Sequence, residues 1–398
     1  MILTTVLACL LTLSPGLAAP LADPQTHDDG EGGHPPDGVH PPEPKKCTDI
    51  EKRIPWQALS KEEKKAYINA ELCLMGKPSQ LDLPGAVTRF DDLVKPHQIL
   101  AATMHGTGYF LPFHRMLMHT HEHLLRTECG YEGYQPYWAE ELDIGKIQDS
   151  DVFDPETGFG GGVVDQLVCV PDGPFQNYTL HTGPGFQNTE YCIQRRFSNG
   201  ATLGARQEYI DHCYQWDKFE QAWQCIEDGG PHNGFHGGVG GVMLNPISSP
   251  GDPVFYLHHT WLDKVWWDWQ KQKPERLSDI SGRKTSRNPL FGAGSNGTAP
   301  PFPGFPGGLP DRFPSFPGNF SFPGNFTFPG GFPGGPGGNL SGPPTWKPTD
   351  EVVTDPVKLG DILTVFDLIP NTTISNLMDI QGGYFCYEYI DYADAVKR

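Results

Sequence analysis

Two stretches of the chain carry histidines at spacings that suit a metal ion. The first, HQILAATMHGTGYFLPFHR, runs from His97 to Arg115 and holds His97, His105 and His114, eight and nine residues apart. The second, HNGFHGGVGGVMLNPISSPGDPVFYLHH, runs from His232 to His259. His232 and His236 are four residues apart, so on a helix both rings lie on one face, one turn from each other. His259 then arrives from a following helix. In the first stretch the Gly-rich HGTGYF separates the histidines, so those three must converge by tertiary folding. Imidazole suits Zn, Cu, Fe and Ni, and ligand type alone leaves the metal open. A helical His pair on catalytic zinc usually encloses a Glu, as in H-E-x-x-H. Here Asn233, Gly234 and Phe235 fill that interval. No 2-His-1-carboxylate pattern for non-haem iron stands out. Two all-histidine triads in one chain favour a pair of copper ions.

Helices must bring these rings together. SKEEKKAYINAELCLM has Ser60 and Glu63 as a capping box, and Gly76 to stop it. AVTRFDDLVKPHQILAATM reads as a second helix, kinked at Pro96 and carrying His97. FHRMLMHTHEHLLRTE reads as a third, starting near His114 and stopping before Gly130. Residues 131–200 are loop-rich, and a further helical stretch spans Arg206 to Glu227. HNGFHGG is a short helix, and DPVFYLHHTWLDKVWWDWQK a long one with Pro253 at its start. The expected fold is therefore mainly α: a four-helix bundle around a dinuclear copper centre, with extensive irregular loops outside.

These residues carry a resemblance. FLPFHR with an upstream HG, then E-x-x-L-R-x-E-C-G-Y and QPYW, resembles the first copper motif of tyrosinases and related type 3 copper proteins. HNGFH, then VGG, M and DPVFYLHHTWLDKVWWDWQ, resembles the second. CYEY, Cys386 to Tyr389, is similar to the Tyr-x-Tyr signature that closes the catalytic domain. The resemblance covers residues 47–392 apart from one insertion, and the size resembles that of the short secreted fungal tyrosinases.

The resemblance implies two copper ions, one on His97, His105 and His114, the other on His232, His236 and His259. In the HH pair it assigns the ligand to His259, with Asp263 one helical turn on, and leaves His258 a neighbour. His119, His121 and His123 fall beyond FLPFHR and are structural by the same pattern, although His119 and His123 are also one turn apart. Glu122 and Asp263 are expected to orient ligands from behind. Asn233 is the expected activator of the phenol hydroxyl, together with a water-holding acid, Glu227 or Asp228. Gly237 leaves the entrance open, and Phe255 either lines the substrate pocket or packs in the core. Three positions depart from the family: Phe113 replaces a usual Trp, Ala139 a usual Asp, and Thr103 a Cys that many relatives crosslink to the second histidine.

The formal charge is -19, which argues against nucleic-acid and anionic-membrane partners. Residues 1–19 read as a secretory signal peptide, and no later segment is apolar enough to cross a membrane. Residues 20–46 are a Pro/Gly/His linker of disordered composition, with His27, His34 and His40 solvated. Eight cysteines remain after the leader, an even number that suits disulfides in a secreted chain. Sequons fall at Asn177, Asn296, Asn319, Asn325, Asn339 and Asn371, each a candidate glycosylation site. Residues 288–348 form a low-complexity Gly/Pro/Phe insertion, after which the tail returns to globular composition. A C-terminal plug domain of the kind many tyrosinases carry is not expected. The resemblance implies a secreted oxidase that uses O2 to convert small phenolic substrates, o-diphenols or o-aminophenols, to quinone products. Its extensions and rivals are monophenol hydroxylation, a narrow oxidase of pigment or secondary-metabolite synthesis, and a hemocyanin-like O2 carrier.

The insertion has no periodic apolar face and follows the last expected ligand. Deleting residues 296–342 is therefore expected to leave copper content and catechol turnover nearly unchanged. Loss of several attached sugars would make the variant migrate faster than its peptide mass alone requires. A soluble, copper-loaded but inactive deletion would show that the repeat closes over the pocket.

Overall fold

Helices α1 (Lys61–Gly76), α2 (Asp91–Met104) and α3 (Phe110–Cys129) form the first half of a mainly helical architecture. The computed structural model describes residues 47–287, 345–348 and 353–397. The expected leader, the linker, most of the insertion, and Asn296, Asn319, Asn325 and Asn339 lie outside the described residues. The start of α1 is the capping box read from sequence, with Ser60 and Glu63 each accepting the other's backbone N–H. Helix α3 ends at Gly130, whose φ of 67° is the left-handed conformation that glycine tolerates. The Cys73–Cys129 disulfide ties the C-terminal ends of α1 and α3 together.

Three helix readings differ from the structure, the first being α2, which starts at Asp91 rather than at Ala86. Helix α3 begins at Phe110, four residues before His114, because Pro112 falls in the first turn, where no backbone donor is required. The stretch expected as one helix over 206–227 is two, α5 (Gln207–Tyr214) and α6 (Phe219–Asp228), linked by the Cys213–Cys225 disulfide. Between them the Trp216 carbonyl turns outward and accepts the Trp269 indole N–H and the Arg276 guanidinium. Short α4 (Asn199–Thr202) precedes them, and α7 (Pro231–Val239) and α8 (Val254–Gln270) follow. Helices α9 (Ile374–Leu377) and α10 (Tyr392–Ala395) belong to the tail.

Strands among the described residues are short. Antiparallel pairs join β2 (Val168–Cys169) to β5 (Gln194–Arg195), β3 (Thr179–Leu180) to β4 (Tyr191–Cys192), and β6 (Ile362–Leu363) to β7 (Thr372–Thr373). The Cys169–Cys192 disulfide staples the β2–β5 loops. Their 185–188 segment covers the outer face of α2. Gln98 donates to the carbonyls of Gly185 and Gln187, and Lys95 donates to Asn188. This cover explains why α2 is buried on nearly every side despite two Asp and a Lys. Asp91 and Asp92 sit in its first turn, where backbone N–H groups and the helix dipole favour carboxylates.

Strands β1 (Glu51–Arg53) and β8 (Tyr387–Tyr389) pair in parallel and are tied by the Cys47–Cys386 disulfide. Beneath them lies a buried charge cluster. Arg53 binds Glu122 and lies 3.8 Å from Asp263, and Arg115 also binds Asp263. The Tyr387 and Tyr389 hydroxyls both donate to Asp263, and Arg53 stacks 3.6 Å over the Tyr387 ring. Glu122 and Asp263 thus differ from expectation. They hold arginines that join α3 and α8 to the two chain ends, and among the described residues neither hydrogen-bonds a candidate ligand imidazole.

Removing one partner of a buried ion pair leaves an uncompensated charge and costs about 3–5 kcal/mol. Asp263→Ala strips the shared partner of Arg53 and Arg115, so it is expected to destabilise the domain by at least that much, read by denaturant unfolding. An unchanged unfolding midpoint would contradict this account.

Candidate metal centre

Seven buried imidazoles meet where α2, α3, α7 and α8 converge. His97 lies on α2, and His105 is the residue that ends it. His114 lies on α3, His232 and His236 on α7, and His258 and His259 on α8. The ring nitrogens form two groups able to hold a metal ion: His97, His105 and His114 in one, and His232, His236, His258 and His259 in the other. Sequence spacing alone could not place His105 beside His97. The helix end does so: His105 caps α2 in extended backbone, leaving their ring centroids 4.9 Å apart.

Five of these rings are oriented the same way. Nδ1 of His97 donates to the Ile247 carbonyl, of His105 to Ala101, of His114 to Phe110, of His232 to Glu227 and of His236 to Met243, all within 2.5–3.2 Å. A carbonyl can only accept, so each Nδ1 carries the proton and each Nε2 presents a lone pair. His105 and His114 use carbonyls four residues earlier; the loop between α7 and α8 supplies Met243 and Ile247, one to each group. Nε2 of His97, His114 and His232 is buried with no hydrogen-bond partner. Nε2 of His236 lies 3.1 Å from Nε2 of His259, and the rings of His114 and His259 stack at 4.2 Å where the groups meet. Buried polar atoms without partners are rare. Lone pairs converging from neutral imidazoles fit a pair of nitrogen-loving ions, and fit nothing else in this apolar surround.

Burial also keeps the rings neutral. It lowers the imidazoles of His97, His114, His232 and His259 well below the usual histidine range, His105 to about 4 and His236 to about 3.

Helix α7 divides its short sequence among three faces. His232 and His236 point inward. Gly234 and Gly238 face residues 202–205, where an added Cβ would lie 2.9 Å from the Ala205 nitrogen and 2.7 Å from Thr202. Asn233 and Gly237, four residues apart, are half-buried and form the outward stripe beside the ligands.

Other expected site residues fall differently. Phe255 is fully enclosed, 4.0 Å from the His259 ring and 5.3 Å from His97, so it packs between the two groups and lines no open pocket. Phe110 escaped the sequence reading yet lies 4.7 Å from His114 and 4.8 Å from His232, bridging the groups. Its signal was the first letter of FLPFHR. Glu140 also escaped. Its carboxylate takes Nδ1 of His258 at 2.5 Å, and both side chains are completely buried. The signal was the AEE that follows PYW, where relatives differ. Of the two candidate acids, Glu227 is buried and accepts the Gly106 N–H at 2.8 Å through Oε1, while Oε2 has no partner. Burial holds its carboxyl well above the usual range. Asp228 is exposed on the far side of α6. His121 is held by Gln135 and Glu71 and stacks on Tyr256, outside both groups.

A helical bundle with paired, carbonyl-oriented histidine groups defines the class of type 3 copper oxidoreductases. The sequence matches the common central domain of tyrosinase over residues 87–272. It is 35% identical over 263 residues to the tyrosinase-like protein phomQ1 of Diaporthe leptostromiformis, covering 60% of this chain and 67% of that protein. It is 29% identical over 305 residues to the N-acetyl-6-hydroxytryptophan oxidase ivoB of Emericella nidulans, covering 60% of this chain and 81% of that protein. The fold is similar to a polyphenol oxidase (mutant G292N) of Thermothelomyces thermophila, with TM-score 0.62 and 25% identity over 87% of this chain and 91% of that one. The chain belongs to the tyrosinase family and is a copper-dependent oxidoreductase.

Unfolded histidines titrate near 6.5, whereas the buried ones stay neutral to about 4 or below. Between those values the unfolded chain binds more protons, so stability falls as pH falls, by about 1.4 kcal/mol per pH unit for each such histidine. Metal-free protein is expected to lose urea resistance steeply below pH ~6.5. A flat profile from pH 7 to 5 would show that the rings are not held neutral.

Proposed function

We propose that the protein is a secreted phenol oxidase that takes o-diphenols or o-aminophenols to quinone products with O2. His97, His105 and His114 hold one copper; His232, His236 and His259 hold the other. The observation that carries this reading is the set of buried Nε2 lone pairs fixed by main-chain carbonyls on both groups. In the HH pair, His259 is favoured because its Nε2 meets that of His236 and its ring stacks on His114 where the two groups meet. Copper bound at the pair supplies O2 activation and two-electron oxidation of the phenol. In balance, two catechols give two o-quinones, and one O2 takes up their four electrons and four protons to become two waters.

The chain's own residues bring the phenol in and manage its proton. Asn233 and Gly237 form the accessible stripe of α7, so the ring enters over small and polar groups there. Glu227 is the water-holding acid. Its Oε1 is fixed by Gly106, and its unpartnered Oε2 receives the hydroxyl proton through that water. Phe110 and Phe255 exclude bulk water from between the two groups. Secretion is supported by four disulfides among the described cysteines, since such bonds persist in oxidising compartments. Asn177 and Asn371 are exposed and accessible to glycosylation. A narrower reading, a dedicated oxidase of one secondary metabolite, is favoured by the relative named for a single hydroxytryptophan substrate.

Purified protein loaded with copper is expected to hold two ions per chain and to oxidise catechol. His259→Ala is expected to lose one ion and all turnover, whereas His258→Ala keeps both ions. One ion per chain in the wild type, or activity surviving a chelator that strips it, overturns the paired site. Equal copper loss in the two variants overturns the assignment of His259. Parallel assays on a monophenol and an o-aminophenol separate the broad oxidase from the narrow one.

A further inference from the structure

Helix α3 presents a second pair of histidines away from the metal centre. His119 and His123 are one turn apart on the same face. His123 follows His114 by nine residues, about two and a half turns, and so lies on the opposite side of the helix. Both side chains line one open cleft of ≈ 450 Å³, together with Asp367, Leu368, Ile369, Pro370 and Tyr384. His123 and Asp367 are exposed, and His119 is half-buried against the rings of Tyr384 and Phe385. The recorded interactions of His119 are those two ring contacts and electrostatic ones with Glu122, Arg53, His123 and Arg126. None is a hydrogen bond to a ring nitrogen.

The opposite wall has an independent peculiarity. Phe366 and Asp367 are consecutive non-glycine residues at φ 56° and 63°. The left-handed region is unfavourable for a bulky side chain, and strained backbone of this kind clusters at ligand clamps. Asp367 lines the same cleft as the histidine pair.

We propose that His119, His123 and Asp367 form a mononuclear site for a divalent transition-metal ion, copper(II) or zinc(II), separate from the paired centre. Two imidazoles one helical turn apart chelate such an ion, a carboxylate adds a third donor, and the open cleft leaves positions for water. The three groups are not drawn together as tightly as the paired centre. Binding therefore requires side-chain rotation of His123 and Asp367, which their exposure permits.

Metal-free full-length protein titrated with copper(II) tests this. The wild type is expected to bind three equivalents, the last giving a mononuclear EPR signal that a spin-coupled pair does not give. His123→Ala should lack that equivalent and that signal while retaining the other two and catechol turnover. Asp367→Asn should weaken the third equivalent about tenfold. Because the readout is the difference between wild type and His123→Ala, it stands apart from whether the paired centre works as proposed. A wild type with no mononuclear signal, or a His123→Ala variant that keeps it, overturns the site.

Discussion

The structure depends on one electrostatic arrangement: a main-chain carbonyl behind the imidazole of each oriented histidine. A histidine free to rotate offers either nitrogen and either tautomer. Five rings here have lost that freedom, because Nδ1–H is bound to a carbonyl whose position is set by backbone geometry. The lone pair at Nε2 then points inward without further help. Two of those carbonyls belong to the loop between α7 and α8, which faces both groups at once through Met243 and Ile247. A shift of that loop would disorient a ring in each group together.

Carbonyl contacts orient the rings only if the helices that carry them stay in place. Helices α3 and α8, which supply His114 and His259, are joined by Arg115 and Asp263 in the interior. The same Asp263 accepts both tyrosine hydroxyls of β8, and β8 pairs with β1 near the first described residue. The two ends of the folded chain are thereby fastened to the pair of helices that brings the two groups face to face. Such a cluster is costly to bury, and each of its charges faces an opposite one. The network places its charges behind the helices, so that the imidazoles themselves sit in an apolar surround of Phe110, Phe113 and Phe255.

One stretch that departs from the family motif has a visible local contact. The AEE following PYW places Glu140 in the interior, where its partner is His258. The adjacent His259 instead meets His236. Both rings are buried, and both lie within reach of the second group. One is turned to a carboxylate, the other to His236 and His114.

Residue type and spacing determined the histidine triads, the helices that bear them and the capping box of α1. These are local properties: a helix places residues four apart on one face whatever surrounds it. Pairing of the eight cysteines was not legible, because it depends on which distant segments meet. The roles of Glu122 and Asp263 were misread for the same reason: proximity along a helix to a ligand says nothing of the arginine that arrives from β1 or from α3. Phe255 divided evenly between pocket and core until the rings around it were placed. Glu227 and Asp228 are neighbours with the same chemistry, and only the rotation of α6 turns one inward to Gly106 and the other to solvent. The sequence by itself determined that two histidine groups would form and which helices carry them. The tertiary structure decided which nitrogen each ring presents and which acid stands beside it, because both depend on carbonyls and backbone amides supplied by other segments of the chain.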